Sequence, residues 1–352
     1  MKLLIVKLSS LGDVVLSLPF ACAVKDQEPT AHIDWVVEEP SAPLVAGHPA
    51  LTRVLVSPRG AVKREPGKAM GHLGRFLKEL RSESYDAVVD LQGLLKSAIV
   101  VASSRSKSKI GFRGGKEAAA AWVLNQPQPA YDPDRHALSR YLDLLGPLGF
   151  SRPAEPRFGL APAPEHLARA GELLAGAGSD GPLVICHPRA LWDSKLWPVE
   201  HWRDLVDRLL AAGCRVAVSG GPGDGEVTGA IVSSLAEKPG LVDLTGVTDL
   251  KTLAALLTLA KLVICTDTGV MHLAAAMGTR VLALFGPTAP WRTGPWGDNH
   301  VVMRLGLECS PCFQRQCGQA RCLSALSPLG VFNQAQGMLA GVSGPSPSRT
   351  EL

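Results

Sequence analysis

The stretch Leu262 to Thr288, "LVICTDTGVMHLAAAMGTRVLALFGPT", restricts the possible folds of this chain more than any other. Leu262 to Cys265 and Val281 to Phe285 are short apolar runs rich in strand formers, bounded by turn residues. Between them Ala274 to Met277 favour helix, Gly278 supplies a stop, and Asp267 and Thr268 supply a capping start. Strand, helix, strand over this length is a βαβ unit and therefore parallel sheet. Its first turn puts Asp267, Thr268 and Gly269 at the carboxyl end of a strand and the amino end of a helix. There, unpaired N–H groups and the helix dipole favour an anionic ligand, and Gly269 allows close backbone approach. Asp267 as a plain helix cap explains the same pattern. Gly286-Pro287-Thr288 forms a second turn at the same sheet edge.

The remainder continues the alternation. Strands are expected at Leu3 to Val6, Ile33 to Val37, Val54 to Ser57, Ala87 to Asp90, Lys109 to Phe112, Leu183 to Cys186 and Arg215 to Ser219, with helices between several of them, which is doubly wound α/β. A Pro-, Ala- and Gly-rich stretch from Ser151 to Pro182 separates two halves. The expected domains are 1–165 and 166–326, followed by a helix over 327–340 and a disordered tail, 341–352.

At 352 residues, with 46% hydrophobic and 19% charged, the chain is long enough for two packed cores. Its beginning, "MKLLIVKLSSLGDVVLSLPFACAV", imitates a signal peptide, but Lys7 and Asp13 interrupt the apolar core. No apolar run approaches the roughly 20 residues that span a bilayer. A cytoplasmic location and mostly reduced cysteines are expected. A formal net charge of +4 gives no ground for expecting nucleic acid as a partner. A nicotinamide dehydrogenase would want G-x-G-x-x-G after the first strand, where only Gly12 stands. Between Arg59 and Lys116 there are 13 Lys and Arg against 5 Asp and Glu, a basic face if they cluster in space.

"TDTGVMHLAAAMGTRVLALFGPTAPWRTGPWG" resembles the nucleotide-binding signature of the lipopolysaccharide heptosyltransferases, glycosyltransferase family 9. "KLSSLGD", "DLQGLLKSA", "DRHALSRYLDLLG" and "SKLWP" are similar to further motifs of that family, and "IDWVVEE" resembles the second strand of heptosyltransferase I in particular. The motifs recur from Lys7 to Cys322. The resemblance implies a GT-B fold, two Rossmann-like domains facing a cleft, with the acceptor on the first and the nucleotide sugar on the second. It implies inverting transfer of heptose from ADP-heptose to the Kdo of Kdo-lipid A, by a monomer working peripherally at the cytoplasmic face of the inner membrane. No cofactor or metal is implied, since a lysine and a helix dipole do the work of a cation.

The resemblance also assigns residues. Asp13 becomes the catalytic base, although it reads equally as a carboxylate at a helix amino end. Lys195 meets the diphosphate, Glu226 the ribose, and Asp267, Thr268, Gly269 and His272 complete the donor site. Arg189 stands where relatives tend to carry Gly, and it is itself a good phosphate partner. Ser10, Gly12, Lys63, Arg64, Gln92 and His136 fall to the acceptor side, with His136 and Arg140 on one helix face. The final helix is expected to cross back onto the first domain. Cys309, Cys312, Cys317 and Cys322, spaced C-x2-C-x4-C-x4-C, are open to metal binding or to free thiols, the latter favoured. Alternatives left open are another core acceptor, as in heptosyltransferase II, a non-catalytic nucleotide-sugar or lipid-binding protein on the same scaffold, and an oxidoreductase.

Overall fold

The computed structural model describes residues 1–115, 117–126, 129–178 and 180–341. The expected disordered tail lies, from 342 onward, outside the described residues, as does Lys116. The chain divides into two units, Met1–Leu160 and Ala161–Leu352. Each is a parallel sheet wound with helices.

In the first unit the strands are β1 (Lys2–Val6), β2 (His32–Glu38), β3 (Arg53–Ser57), β4 (Tyr85–Asp90) and β5 (Ser106–Ile110), in spatial order β3-β2-β1-β4-β5. Leu3 to Val6 are fully buried because β1 is the central strand, covered on both faces. On one face Leu4, Val6, Val88 and Leu55 pack with Phe76 and Leu80 from the helix Ala69–Leu80 and Val100 and Val101 from Leu95–Ser103. The helix after β1, Leu11–Gln27, is buried from Val14 to Val24. It is apolar nearly all round, as a helix enclosed by protein must be. Pro19 lies mid-helix, at the expense of one backbone bond. β5 begins three residues before the expected strand. Its Ser106, Lys107 and Ser108 carry no apolar signal, because an edge strand is only half covered.

In the second unit the strands are β6 (Leu183–His187), β7 (Arg215–Val218), β8 (Leu241–Asp243), β9 (Leu262–Thr266), β10 (Val281–Leu284) and β11 (Val301–Met303), in order β11-β10-β9-β6-β7-β8, all parallel. β8 and β11, three residues each, escape the sequence pattern through their shortness. Trp197 and Trp202 meet edge to face with ring centroids 5.1 Å apart at the core, and the Trp197 indole N–H donates to Leu326 O at 3.0 Å. The last helix, Pro328–Leu339, sets Val331, Ala335 and Met338 into this same core, beside the helix Val199–Ala211. Its apolar stripe is used within the second unit, and Arg280 further ties it there by donating to Met338 O at 2.6 Å. Among the described residues no helix is long and apolar enough to cross a membrane.

The strand orders decide where chemistry can gather. In the first sheet the chain winds from β1 outward to β3 and then returns to the other side of β1 with β4. In the second it winds from β6 to β8 and returns beside β6 with β9. A crevice opens at each reversal, beyond the carboxyl ends of the two diverging strands.

Candidate active site

At the first reversal, the loop after β1 carries Ser10 and Asp13 into the start of the helix Leu11–Gln27. Asp13 is the third residue of that helix, not its cap. Its Oδ2 accepts from the Ser10 hydroxyl at 2.9 Å and from the Ser10 N–H at 3.3 Å. Its Oδ1 accepts from the Tyr141 hydroxyl at 2.8 Å and lies 3.8 Å from Lys7 Nζ. Burial pushes the Asp13 carboxyl upward, but the Lys7 charge and the Tyr141 and Ser10 hydrogen bonds outweigh it, so the group is held below the ordinary range and ionised. Lys7 is 2% exposed at the end of β1, and burial lowers its own pKa.

The loop around Asp13 is braced from the carboxyl end of β4. Gln92 Oε1 accepts from the backbone N–H of Leu8 and of Ser9, each at 3.1 Å, so its carbonyl is committed to shaping the loop. Lys96 donates to Ser9 Oγ at 2.5 Å and to Glu38 Oε1 at 3.0 Å. Asp90, buried and pushed upward by that burial, anchors the Gln92 and Gly93 N–H groups and the Ser97 hydroxyl. Gly12 is buried beneath the loop. His136 is not on a face shared with Arg140: it caps the helix Ala137–Asp143, its Nδ1 accepting from the Leu138 N–H at 3.3 Å. Arg140 is buried and spends its guanidinium on the carbonyls of Asp132, Pro133 and Arg135.

Part of the expected basic face is neutralised. Arg59 pairs with Glu38, Arg64 with Glu39 and Lys68 with Glu65. Glu38 and Glu39 precede the basic stretch in sequence, so a charge count over that stretch omits them. Lys63 is exposed beside them.

At the second reversal, the loops after β6, β9 and β10 meet. Lys195 Nζ donates to Asp267 Oδ2 at 2.7 Å, and the Thr288 hydroxyl donates to the same oxygen at 2.7 Å. Asp267 is 8% exposed and Lys195 15%. Asp267 is thus not the helix cap. Thr268 occupies that position, in extended conformation, and Gly269 begins the helix Gly269–Ala276. A carboxylate drawn to a partly buried lysine and a buried hydroxyl gains more than one bonded to backbone N–H groups that solvent also reaches. The Lys195 ammonium also lies 4.4 Å from the centroid of the Trp192 ring. His272 is buried, 5% exposed, inside the helix.

Arg189 closes the side of this site toward β7. Its Nε donates to Asp224 Oδ1 at 2.8 Å, and Asp224 Oδ2 accepts the Gly221 N–H at 2.7 Å, so the arginine fastens the glycine-rich turn "GGPGDGE". Glu226 is exposed in the first turn of Gly225–Val232. Cys309, Cys312 and Cys317 are exposed free thiols and Cys322 a buried one. Among the described residues no three or more His, Cys, Asp or Glu side chains are grouped to hold a metal ion. The segment they occupy bonds to the loops after β6 and β10: Ser194 Oγ donates to Gln314 O at 2.6 Å, and the Phe313 N–H donates to Pro287 O at 2.8 Å.

Residues 73–322 match the model of glycosyltransferase family 9 (heptosyltransferase). The chain belongs to that family. It is 30% identical to lipopolysaccharide heptosyltransferase 1 of Pseudomonas aeruginosa, over 96% of this chain and 98% of the relative. Among solved structures it is similar to the Escherichia coli heptosyltransferase WaaC with ADP, at 28% identity and a TM-score of 0.79, covering 96% of this chain and all of that one. WaaC with ADP-2-deoxy-2-fluoro heptose matches at the same identity with a TM-score of 0.76, covering 96% and 99%. The family 9 chain accordingly has the GT-B fold and is a glycosyltransferase, and its two sheets are the two halves of that fold.

Several residues at the two sites gave no signal of their own in the sequence. Lys7 ends an otherwise apolar strand, and a charge in that place is the one hint of a buried ion pair. Tyr141, Lys96, Glu38 and Asp224 sit in ordinary helix or strand-end contexts and acquire their partners only through the fold. Thr288 belongs to a turn legible as lying at the same sheet edge as Asp267.

Proposed function

We propose that this family 9 enzyme transfers L-glycero-D-manno-heptose from ADP-heptose to the Kdo of Kdo-lipid A, with inversion at the sugar's anomeric carbon. The observation that carries the reading is the meeting of Lys195, Asp267 and Thr288 at the amino end of Gly269–Ala276, in a chain similar throughout to an enzyme solved with ADP and with an ADP-heptose analogue. The ADP diphosphate would take up the Lys195 ammonium and the N–H groups of Thr268 and Gly269. These stabilise the negative charge that grows on the leaving group. Glu226, exposed beside the glycine-rich turn, is available to a ribose hydroxyl.

Asp13 takes the proton from the acceptor hydroxyl as that oxygen bonds to the anomeric carbon and the carbon–phosphate oxygen bond breaks. A carboxylate is a weak base against an alcohol, so proton transfer must accompany bond making rather than precede it. No divalent cation is required in this scheme, because lysine and helix dipole carry the electrostatic load. The exposed basic residues around Lys63 suit an anionic acceptor presented at the cytoplasmic face of the inner membrane, on which the protein would work peripherally as a monomer.

The test mixes the protein with ADP-heptose and Kdo-lipid A and measures ADP release. Asp13→Ala is expected to lower kcat by about 10²- to 10⁴-fold with ADP affinity nearly intact. Near-normal turnover in that variant would leave Asp13 a purely structural carboxylate and remove the mechanism.

A further inference from the structure

We infer that Lys7 and Tyr141 are positioning residues for Asp13: the buried ammonium dictates which way the tyrosine hydroxyl points, and that hydroxyl fixes one carboxylate oxygen, leaving the other for the acceptor. The inference rests on the reading of Asp13 as the base, and it concerns how the base is held rather than whether it is one.

The direction of the chain follows from donor and acceptor counting. Tyr141 O is 2.8 Å from Lys7 Nζ and 2.8 Å from Asp13 Oδ1. An ammonium only donates and a carboxylate only accepts, whereas a phenol has one proton to give. The tyrosine oxygen must therefore accept from Lys7, and its single proton must go to Asp13. Lys7 spends a second N–H on Leu91 O at 3.1 Å, which fixes the ammonium against β4's end. Tyr141 is 5% exposed and Lys7 2%, so water does not compete for these bonds. On the other side of the carboxylate, Oδ2 is held, among the described residues, only by Ser10, which is exposed. An acceptor hydroxyl can displace Ser10 at Oδ2. It cannot displace Tyr141 at Oδ1.

The same arrangement sets the pH at which the base becomes available. Asp13 must be ionised to accept a proton, so activity falls as pH drops through its pKa. The groups around the pair are Arg140 on the helix of Tyr141, Asp90 at the end of β4, Lys96 with its partner Glu38 from β2, and Tyr131 beside Tyr141. None of these is altered by a substitution at Tyr141. Tyr141→Phe keeps the ring and removes one hydrogen bond to the ionised form, so the acid limb of kcat/KM should move to higher pH by about one unit. Lys7→Met removes the charge as well as the support for the hydroxyl, and should move the limb at least as far.

The experiment records pH profiles of kcat/KM for the wild type, Tyr141→Phe, Lys7→Met and Asp13→Ala, with ADP affinity and thermal unfolding for each. The Asp13 carboxyl is titrated in parallel by carbon NMR, which reads the same shift without turnover. Both positioning variants are expected to bind ADP normally, to lose about tenfold in plateau kcat from the misaligned base, and to show the raised limb and the raised Asp13 titration. If Tyr141→Phe, folded as the wild type, leaves the limb and the Asp13 titration in place while Asp13→Ala is inactive, the positioning role is overturned and the base stands. Wild-type turnover in Asp13→Ala removes the base itself. Should either positioning variant unfold, the other delivers the same readout.

Discussion

Lys195 Nζ and Asp267 Oδ2 are 2.7 Å apart although 72 residues separate them in the chain. They meet because β6 and β9 lie side by side at the reversal of the second sheet, and both loops leave the same edge. The aspartate is a tether for the lysine, and Thr288 completes the tether from the loop after β10.

From that relationship, Asp267→Ala should weaken ADP binding rather than strengthen it. The lysine loses the group that aims it, and the Thr288 loop loses its partner. A hydrogen bond to a charged group contributes about 1.5–3 kcal/mol, so a decrease of about tenfold to a hundredfold in ADP affinity is expected by calorimetry. Lys195→Ala should weaken binding too, and the double variant should fall short of the sum because the two residues act together. Tighter ADP binding by Asp267→Ala would mean that the carboxylate merely repels the diphosphate.

Stability should fall with acid through His187. Burial at the end of β6 pushes its pKa down to about 4, while in the unfolded chain it returns to about 6.5. Between these values the unfolded chain binds a proton that the folded one refuses, so stability is full above pH 6.5 and declines toward pH 4. The difference amounts to about 3 kcal/mol at most. His187→Gln, which keeps a polar group for the Ser219 hydroxyl now 3.0 Å from Nδ1, should show a flatter dependence of the unfolding midpoint over this range. Parallel curves for the two proteins would contradict the assignment.

Charge reversal on the basic face should act on the acceptor. Lys63→Glu is expected to raise KM for Kdo-lipid A and to leave ADP affinity unchanged, with the effect diminished by salt. Arg64→Glu should do less by loss of attraction to the acceptor, since Arg64 is already paired with Glu39. Equal losses of ADP and acceptor binding in Lys63→Glu would place this residue elsewhere in the reaction.

Turnover should persist in EDTA, since the proposed donor site relies on Lys195 and helix-terminal N–H groups. Loss of activity restored by a divalent ion would contradict that, and elemental analysis of the same sample tests whether the four cysteines hold zinc or iron. Their reactivities should also differ. Cys317 is exposed, and hydrogen bonds from the backbone N–H groups of Ala320 and Gln319 lower its pKa. It should be alkylated ahead of Cys309 and Cys312 near neutral pH. Cys186 and Cys265, buried in β6 and β9 and pushed upward by that burial, should react only after unfolding. Peptide mapping after brief alkylation reads this order.

The sequence by itself determined the alternation of strands and helices, the parallel sheets, the division into two halves and the turn at which Asp267, Thr268 and Gly269 stand. These follow from short-range periodicity, caps and breakers, which act over a few residues and so leave a local trace. It also marked Asp13 and Lys195 through motif resemblance. Only the tertiary structure decided what those residues touch. Asp267 reads locally as a cap, yet a lysine 72 residues away offers it a stronger partner. The Lys7, Tyr141 and Asp13 chain joins β1 to a helix 128 residues beyond Asp13, and no local pattern encodes such a bond. Glu38 and Glu39 cancel basic charges that sequence counting places elsewhere. The last helix carries an apolar stripe, and only packing reveals that Val331, Ala335 and Met338 fill the second core. Periodicity tells a side chain which way to face, and only the sheet order, by bringing distant strand ends together, chooses its neighbours.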